Sequence, residues 1–299
     1  MSQQAIDHHI VPVFFLKRWA RRLNGADKVT VFTWRAMPGK LTVSELIPDK
    51  TVYERHLLSL THPINGRTDQ VEAGAMQQID SDAADVVTKL LDSAPTLSPR
   101  EYYILCVFMA SLILRDPDNV DRIRRVGSES ILHSLAEDPE EYDALAKPGD
   151  PVSLIKFAEE LDAGLTKDFG IRRLPVVIRH FANHLYQLDF ASRGVLDFGA
   201  YGHSLVLSDR PVISTTELGI TNFKDPDFLA LPLNPRKAFV AFKSPITARC
   251  ILDERFHRNR KTLLTIVNQT SCIQARERVV AHDRTPQRFV ENRFKLRCT

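Results

Sequence analysis

Apolar residues recur at helical spacing through the middle of the chain. From about Thr68, the residues Val71, Ala75, Ile79, Ala83, Val86, Val87, Leu90 and Leu91 return every three or four positions, and Glu72, Asp80, Asp82 and Asp85 fill the other faces. This pattern predicts one long amphipathic helix, ended by Ala94-Pro95. Ser98-Pro99-Arg100-Glu101 then supplies a Ser N-cap, a Pro at the first helical position and a Glu at the third, which is a strong helix start. The helix it opens carries the most apolar run of the chain, Tyr102 to Leu114, closed by Arg115 and Asp116. A membrane-spanning helix needs roughly 20 apolar residues, so this shorter run is expected as a buried core helix. Further helices are expected over 118–136, 139–146, 151–163 and 173–191, punctuated by Pro139, Pro148-Gly149 and Pro151.

On either side of this middle the period shortens to two. After Pro12, residues 11–22 predict a short helix; the Asn24-Gly25 turn then leads into an alternating strand over 28–35. Strands are also expected at 41–46 and 51–55, with a loop over 59–69. After Gly194, VLDFGA, HSLVLSD, PVIS, FLALPL and KAFVAF are short, apolar and separated by Gly, Pro or Asp, as antiparallel strands are. A helix is expected from about Asp253 to Ala281, with Phe256, Leu263, Ile266, Val267, Ile273 and Val279 in the core, and a last short one at 286–294. Strands and helices are thus segregated. The pattern predicts an α+β fold, predominantly helical, with a small antiparallel sheet formed by N-terminal and late (195–243) strands. With no internal repeat and no linker, residues 1–299 read as a single α+β domain, within which about 67–193 would be a helical subdomain.

Composition narrows the class. With 43% hydrophobic residues in 299, the chain has enough apolar material for a core, which excludes disorder as its main state. The net charge of +3 hides an uneven distribution. Residues 1–35 hold six basic and two acidic residues, and residues 249–299 hold twelve against five, so both ends are basic and the middle is acidic. Ends that meet in space would form a positive face for a phosphate-bearing partner such as nucleic acid. The start lacks a basic stretch followed by a long apolar one, and none of Cys106, Cys250, Cys272 and Cys298 forms a CxxC pair, so a cytoplasmic protein is expected, without membrane, disulfide framework or cysteine zinc site.

Candidate chemistry starts at Asp7-His8-His9-Ile10-Val11-Pro12. Two imidazoles beside a carboxylate can supply a metal ligand and a general base, although neighbours in an extended segment face opposite ways. The string resembles the opening of HNH-type nucleases, where the first His binds metal and the second activates water. That resemblance covers six residues and lacks its final ligand, because the next histidine is His56. His180 and His184 share a helix face, but Phe181 stands where a zincin needs Glu. Asp209, in Ser208-Asp209-Arg210-Pro211, ends a strand, a position suited to catalysis and equally to capping a turn; His203 would line the same strand end. Glu72 with Arg115, Asp116 and Arg122 is expected to form an ion network between two helices. P-loop, dinucleotide-fold and nucleophile-elbow motifs do not occur.

Several of these segments, in this order, resemble one family. They are HHIVPVFFLKRWA at the start, VYERHLL at 52–58, residues 71–90 and 97–117, LVLSDRPVI at 205–213, LALPLNPRKAF at 229–239 and IVNQTSCIQARERVVA at 266–281. Together they resemble the domain of unknown function 4238 family over nearly the whole chain, with Arg210 where the family's signature has Asn. The resemblance implies a bacterial, cytoplasmic α+β protein. The family's recurring polar marks fall on His8, His9, Asp209 and Asn268.

The first functional expectation is a metal-dependent nuclease or other phosphodiester-acting enzyme, such as a toxin or defence effector. In it His8, His9 and Asp209 are catalytic, and His9 and Asp209 hold a divalent ion (Mg, Mn or Zn). Arg18, Arg22, Arg210, Arg258, Lys261 and Asn268 bind substrate. The alternatives are a non-catalytic nucleic-acid- or protein-binding regulator, and a transferase or hydrolase on a nucleotide, which needs a formed pocket near Asp209.

Overall fold

Strands gather toward the two ends of the chain and helices fill the middle in the computed structural model. It describes residues 7–35, 39–62, 66–92, 96–136, 139–162, 164–215, 223–252 and 257–295. The first part comprises β1 (Asp7–His9), α1 (Val13–Leu16), β2 (Arg21–Leu23), β3 (Ala26–Arg35), β4 (Lys40–Leu46), β5 (Tyr53–Arg55), β6 (Leu60–His62) and β7 (Gly66–Thr68). The middle comprises α2 (Gln77–Leu90), α3 (Pro99–Leu114), α4 (Pro117–Ala136), α5 (Pro139–Leu145), α6 (Leu154–Leu161), α7 (Leu165–Arg172) and α8 (Leu174–Gln187). The last part comprises β8 (Ser192–Asp197), β9 (Leu207–Ser208), β10 (Ile213–Thr215), β11 (Phe228–Pro232), β12 (Lys237–Phe242), α9 (Pro245–Leu252), α10 (His257–Gln274), β13 (Arg278–Ala281) and α11 (Gln287–Lys295).

The fold is α+β, but the strands do not share one sheet. The late strands pair among themselves in the order β10-β11-β12-β8. The N-terminal strands instead join β13 and β9 in the order β2-β3-β13-β9, with β4 on β3. Two small pairs, β1-β5 and β6-β7, stand apart from both, and the second lies in the 59–69 segment expected as loop. Every pairing is antiparallel.

Two other expectations change for identifiable reasons. The closing helix stops at Gln274 rather than Ala281, because the next backbone N–H groups are taken by the Asp209 carboxylate and Val279 to Ala281 then pair with β3. On α10 the buried stripe is Leu263, Leu264, Val267 and Ser271, which leaves Ile266 and Ile273 exposed; Phe256 lies outside the described residues. The N-terminal helix is also shorter than expected. It tightens into a 3-10 turn over Lys17–Trp19, and Ala20 is extended so that Arg21–Leu23 can pair with β3.

The core centres on α3. Its capping box forms as the sequence predicts: Ser98 Oγ accepts the Glu101 N–H, and Glu101 returns a carboxylate to the Ser98 N–H. Leu105, Cys106, Phe108 and Met109 are fully buried between α2 and α8, and Phe14 and Phe15 pack their rings on Phe108. Each fully buried side chain of this size contributes about 1.5–3 kcal/mol. A second cluster stacks Trp34 on Phe294, at 5.6 Å between ring centroids, tying α11 to β3. Among the described residues no helix is long and apolar enough to cross a membrane.

Candidate functional site

Strand alternation separates the two N-terminal histidines. His8 is fully buried, and its Nδ1 accepts the Leu58 N–H at 2.9 Å, so it ties β1 to the segment after β5. His9 faces the other way and is half-buried, with Nε2 3.2 Å from the Asp49 carbonyl oxygen. A donating Nε2–H leaves the lone pair of the neutral ring on Nδ1. Burial lowers the His9 pKa, against the carbonyl contact and Asp7, which raise it. The facing strand β5 is bracketed by Val52 and His56, both left-handed at φ 51° and 57°. A β-branched residue in that region is strained, and such strain concentrates at functional sites.

The expected α2 begins with a π-helical turn, Val71–Met76, another feature that recurs at functional sites. The turn carries Glu72, which the spacing assigns to the polar faces and which is here half-buried. Its Oε2 is buried and makes no hydrogen bond. Burial pushes the Glu72 carboxyl up to about 7, with Arg115 holding it down in part and Asp80 adding to the rise. Arg115, at the end of α3, has no exposed surface. Its Nη1 and Nη2 reach the two Asp80 oxygens at 3.1 and 2.5 Å. The charge of this one guanidinium also bears on His9, where it lowers the pKa. The network expected of Glu72, Arg115, Asp116 and Arg122 is therefore not the one that forms: Arg115 pairs with Asp80, Asp116 with Arg210, Arg122 donates to Asn119, and Glu72 Oε2 lies buried without a hydrogen bond.

The Ser208-Asp209-Arg210-Pro211 loop is built differently from the metal site expected of it. The Asp209 carboxylate accepts the backbone N–H groups of Arg276, Glu277 and Arg278 at 2.7, 2.8 and 2.9 Å. Burial pushes this carboxyl up, against those three donors. Its oxygens therefore serve the turn between α10 and β13, while the His9 ring is turned to Asp49. A shared ion on His9 and Asp209 does not fit this arrangement. Among the described residues no three His, Cys, Asp or Glu side chains gather to hold a metal. Asn268 is also structural: its amide spans the Val206 N–H and the Ser204 carbonyl, each at 2.9 Å.

Arg210 grips Asp116 at 2.6 and 3.0 Å and also contacts Asp118. Beside this network a cleft of about 580 Å³ opens between the end of α3, the loop and α10, with Ile113, Val212, Phe223 and Ile273 as apolar walls. The remaining expected substrate contacts are dispersed. Arg18 donates to Thr88 Oγ1 at 2.7 Å, and Arg22 pairs with Asp27 at 3.4 Å. Arg258 and Lys261 are exposed on α10. His203 and His180 are exposed, and His184 contacts the Phe223 carbonyl; among the described residues no third ligand joins the 180/184 pair.

The two basic ends of the chain do meet, through β3 and β13. That sheet also touches the partner of the histidine strand: Arg278 Nη1 donates to the carbonyl of Tyr53 on β5, the residue paired with His9.

A family profile described as "Protein of unknown function (DUF4238)" matches residues 7–285. The chain belongs to this family. The DUF4238 match spans β1, the π-turn, Arg115, the Asp209 loop and β13, and leaves out only α11 among the elements described. No curated protein and no solved structure matches the chain.

Proposed function

We propose that this DUF4238 member is a phosphodiester-acting enzyme, a nuclease, in which His9 is the general base and Glu72 the general acid. The observation that supports this most is the placement of His9 and Glu72, on separate elements and half-withdrawn from water, in the field of the fully buried Arg115. A lowered imidazole accepts a proton at neutral pH, and a raised carboxyl donates one; two groups set apart in this way suit acid–base catalysis. The basic sheet beside β1 supplies the phosphate affinity. The cleft at Arg210 favours a second reading, a hydrolase or transferase on a nucleotide-sized ligand.

The test is hydrolysis of labelled RNA, single-stranded DNA and duplex DNA, alongside mononucleotides, with chelator or with Mg, Mn or Zn. Polymer cleavage strongly reduced in both His9→Ala and Glu72→Gln supports the nuclease. Turnover of mononucleotides alone favours the second reading, and no turnover of either class overturns both.

A further inference from the structure

A second pocket lies at the opposite end of α3 from Arg115. At 1.5 Å per residue, Tyr102 stands about 20 Å along the helix from that guanidinium. The pocket has a volume of about 370 Å³ and is walled by the end of α2, the start of α3, the end of α8 and strands β8 and β12. Strand alternation builds its floor. Arg193 and Val195 are two apart on β8, and Val195 pairs with Phe239 on β12, so all three side chains project to one face. Tyr102 packs its ring on Phe239 at 6.4 Å and on Tyr186 at 5.5 Å between centroids. Leu90 and Leu97 complete the apolar walls.

Among the described residues, Arg193 is the one charged side chain in this lining. It is exposed and makes no ion pair with any of them. Its guanidinium carbon lies 3.8 Å from the Tyr102 ring centroid, a close cation–π stack that orients the fork and leaves its N–H donors for a ligand. Tyr102 is 3% exposed, and its hydroxyl, buried beside Cys106 and Arg193, completes no hydrogen bond. Burial pushes this phenol up, with Cys106 adding to the rise and Arg193 opposing it, so the ring stays neutral and does not offset the arginine. The neighbouring Glu101 carboxylate is spent on Lys89 and the Ser98 N–H. The pocket therefore offers one positive charge set among aromatic walls. A guanidinium fork matches a carboxylate in two parallel bonds, and a single positive charge balances a monoanion rather than a phosphate dianion. Aromatic rings pack on such walls in tilted or offset geometry.

We propose that this pocket binds a small aromatic carboxylate, with its ring against Tyr186 and Phe239 and its carboxylate on Arg193. The site does not rest on the nuclease reading. The test is calorimetric titration of the full chain at low ionic strength with benzoate, phenylacetate and indole-3-acetate, set against the primary amide of each acid and against acetate. The amide keeps the ring and loses the charge; acetate keeps the charge and loses the ring. Saturable binding of at least one aromatic acid is expected, weakened by about tenfold or more in its amide through the lost charge-assisted hydrogen bonds, and absent for acetate. The same loss is expected in Arg193→Gln, an exposed position where the fold should tolerate the change. Absence of saturable binding by all three acids, equal affinity for an acid and its amide, or equal affinity in parent and Arg193→Gln overturns the proposal. The comparison of acid with amide uses the parent chain alone, so it decides the matter even where the variant is unstable. His9→Ala should retain binding, so a failure of hydrolysis alone counts against the catalytic reading and not against this site.

Discussion

Arg115 and Asp80 form a two-pronged ion pair between the end of α3 and α2, with the guanidinium wholly withdrawn from water. A buried charge stripped of its partner costs about 3–5 kcal/mol. Asp80→Ala should therefore lower unfolding stability in urea by about that amount. The double change Asp80→Leu/Arg115→Met should recover much of the loss, because no charge is then left unpaired. Equal stability of parent and Asp80→Ala would show that water reaches Arg115.

The Glu72 carboxyl, raised to about 7 in the fold from an ordinary 4.5, makes stability depend on pH. Its folded form favours the proton, so its contribution is fully present below pH 4.5 and is lost as pH rises through 7. Glu72→Gln should match the parent at low pH and exceed it by about 2 kcal/mol at pH 8, after allowance for partial exposure. Denaturant midpoints at the two pH values check this; a pH-independent difference would mean that Glu72 titrates normally.

The two adjacent histidines should behave oppositely. His8→Ala leaves the buried Leu58 N–H without its acceptor and should cost about 1–3 kcal/mol. His9→Ala should change stability little and, if the proposed nuclease chemistry holds, abolish hydrolysis. Thermal unfolding and an activity assay on both variants separate the roles.

Asp209→Ala should unpair three backbone N–H groups at the start of β13 and cost about 2–4 kcal/mol. Amide exchange at Arg278–Ala281 should accelerate in this variant. Retained protection there would show that the β3-β13 pairing holds the turn by itself.

Much of this fold is legible where local chemistry is self-contained. The Ser98 capping box, the apolar run of α3, the strand expected over 28–35 and the short apolar strand β12 all stand where the pattern places them. The misses share one cause, which is partnership with distant residues. Val279–Ala281 are apolar enough to extend α10, and only Asp209 and β3 make them a strand. Helix α7 buries Thr166, Asp168 and Gly170 beside a single apolar residue, Ile171, so the sequence shows no apolar period there. In the candidate site, His9 stands out in the sequence through the Asp7-His8-His9 string. The partner of Arg115 is not, because a π-turn sets Glu72 apart and Asp80 comes from a position that spacing assigns to solvent.

Acid–base catalysis by His9 and Glu72 would show itself in the pH dependence of oligonucleotide hydrolysis, measured in parent, His9→Ala and Glu72→Gln. A lowered His9 and a Glu72 near 7 predict a bell-shaped rate: it rises as His9 loses its proton below 6.5 and falls as Glu72 loses its proton near 7. The falling limb should vanish in Glu72→Gln, and the rate should drop by about 10²-fold or more in His9→Ala. A profile that keeps both limbs and its full rate in either variant would contradict the account.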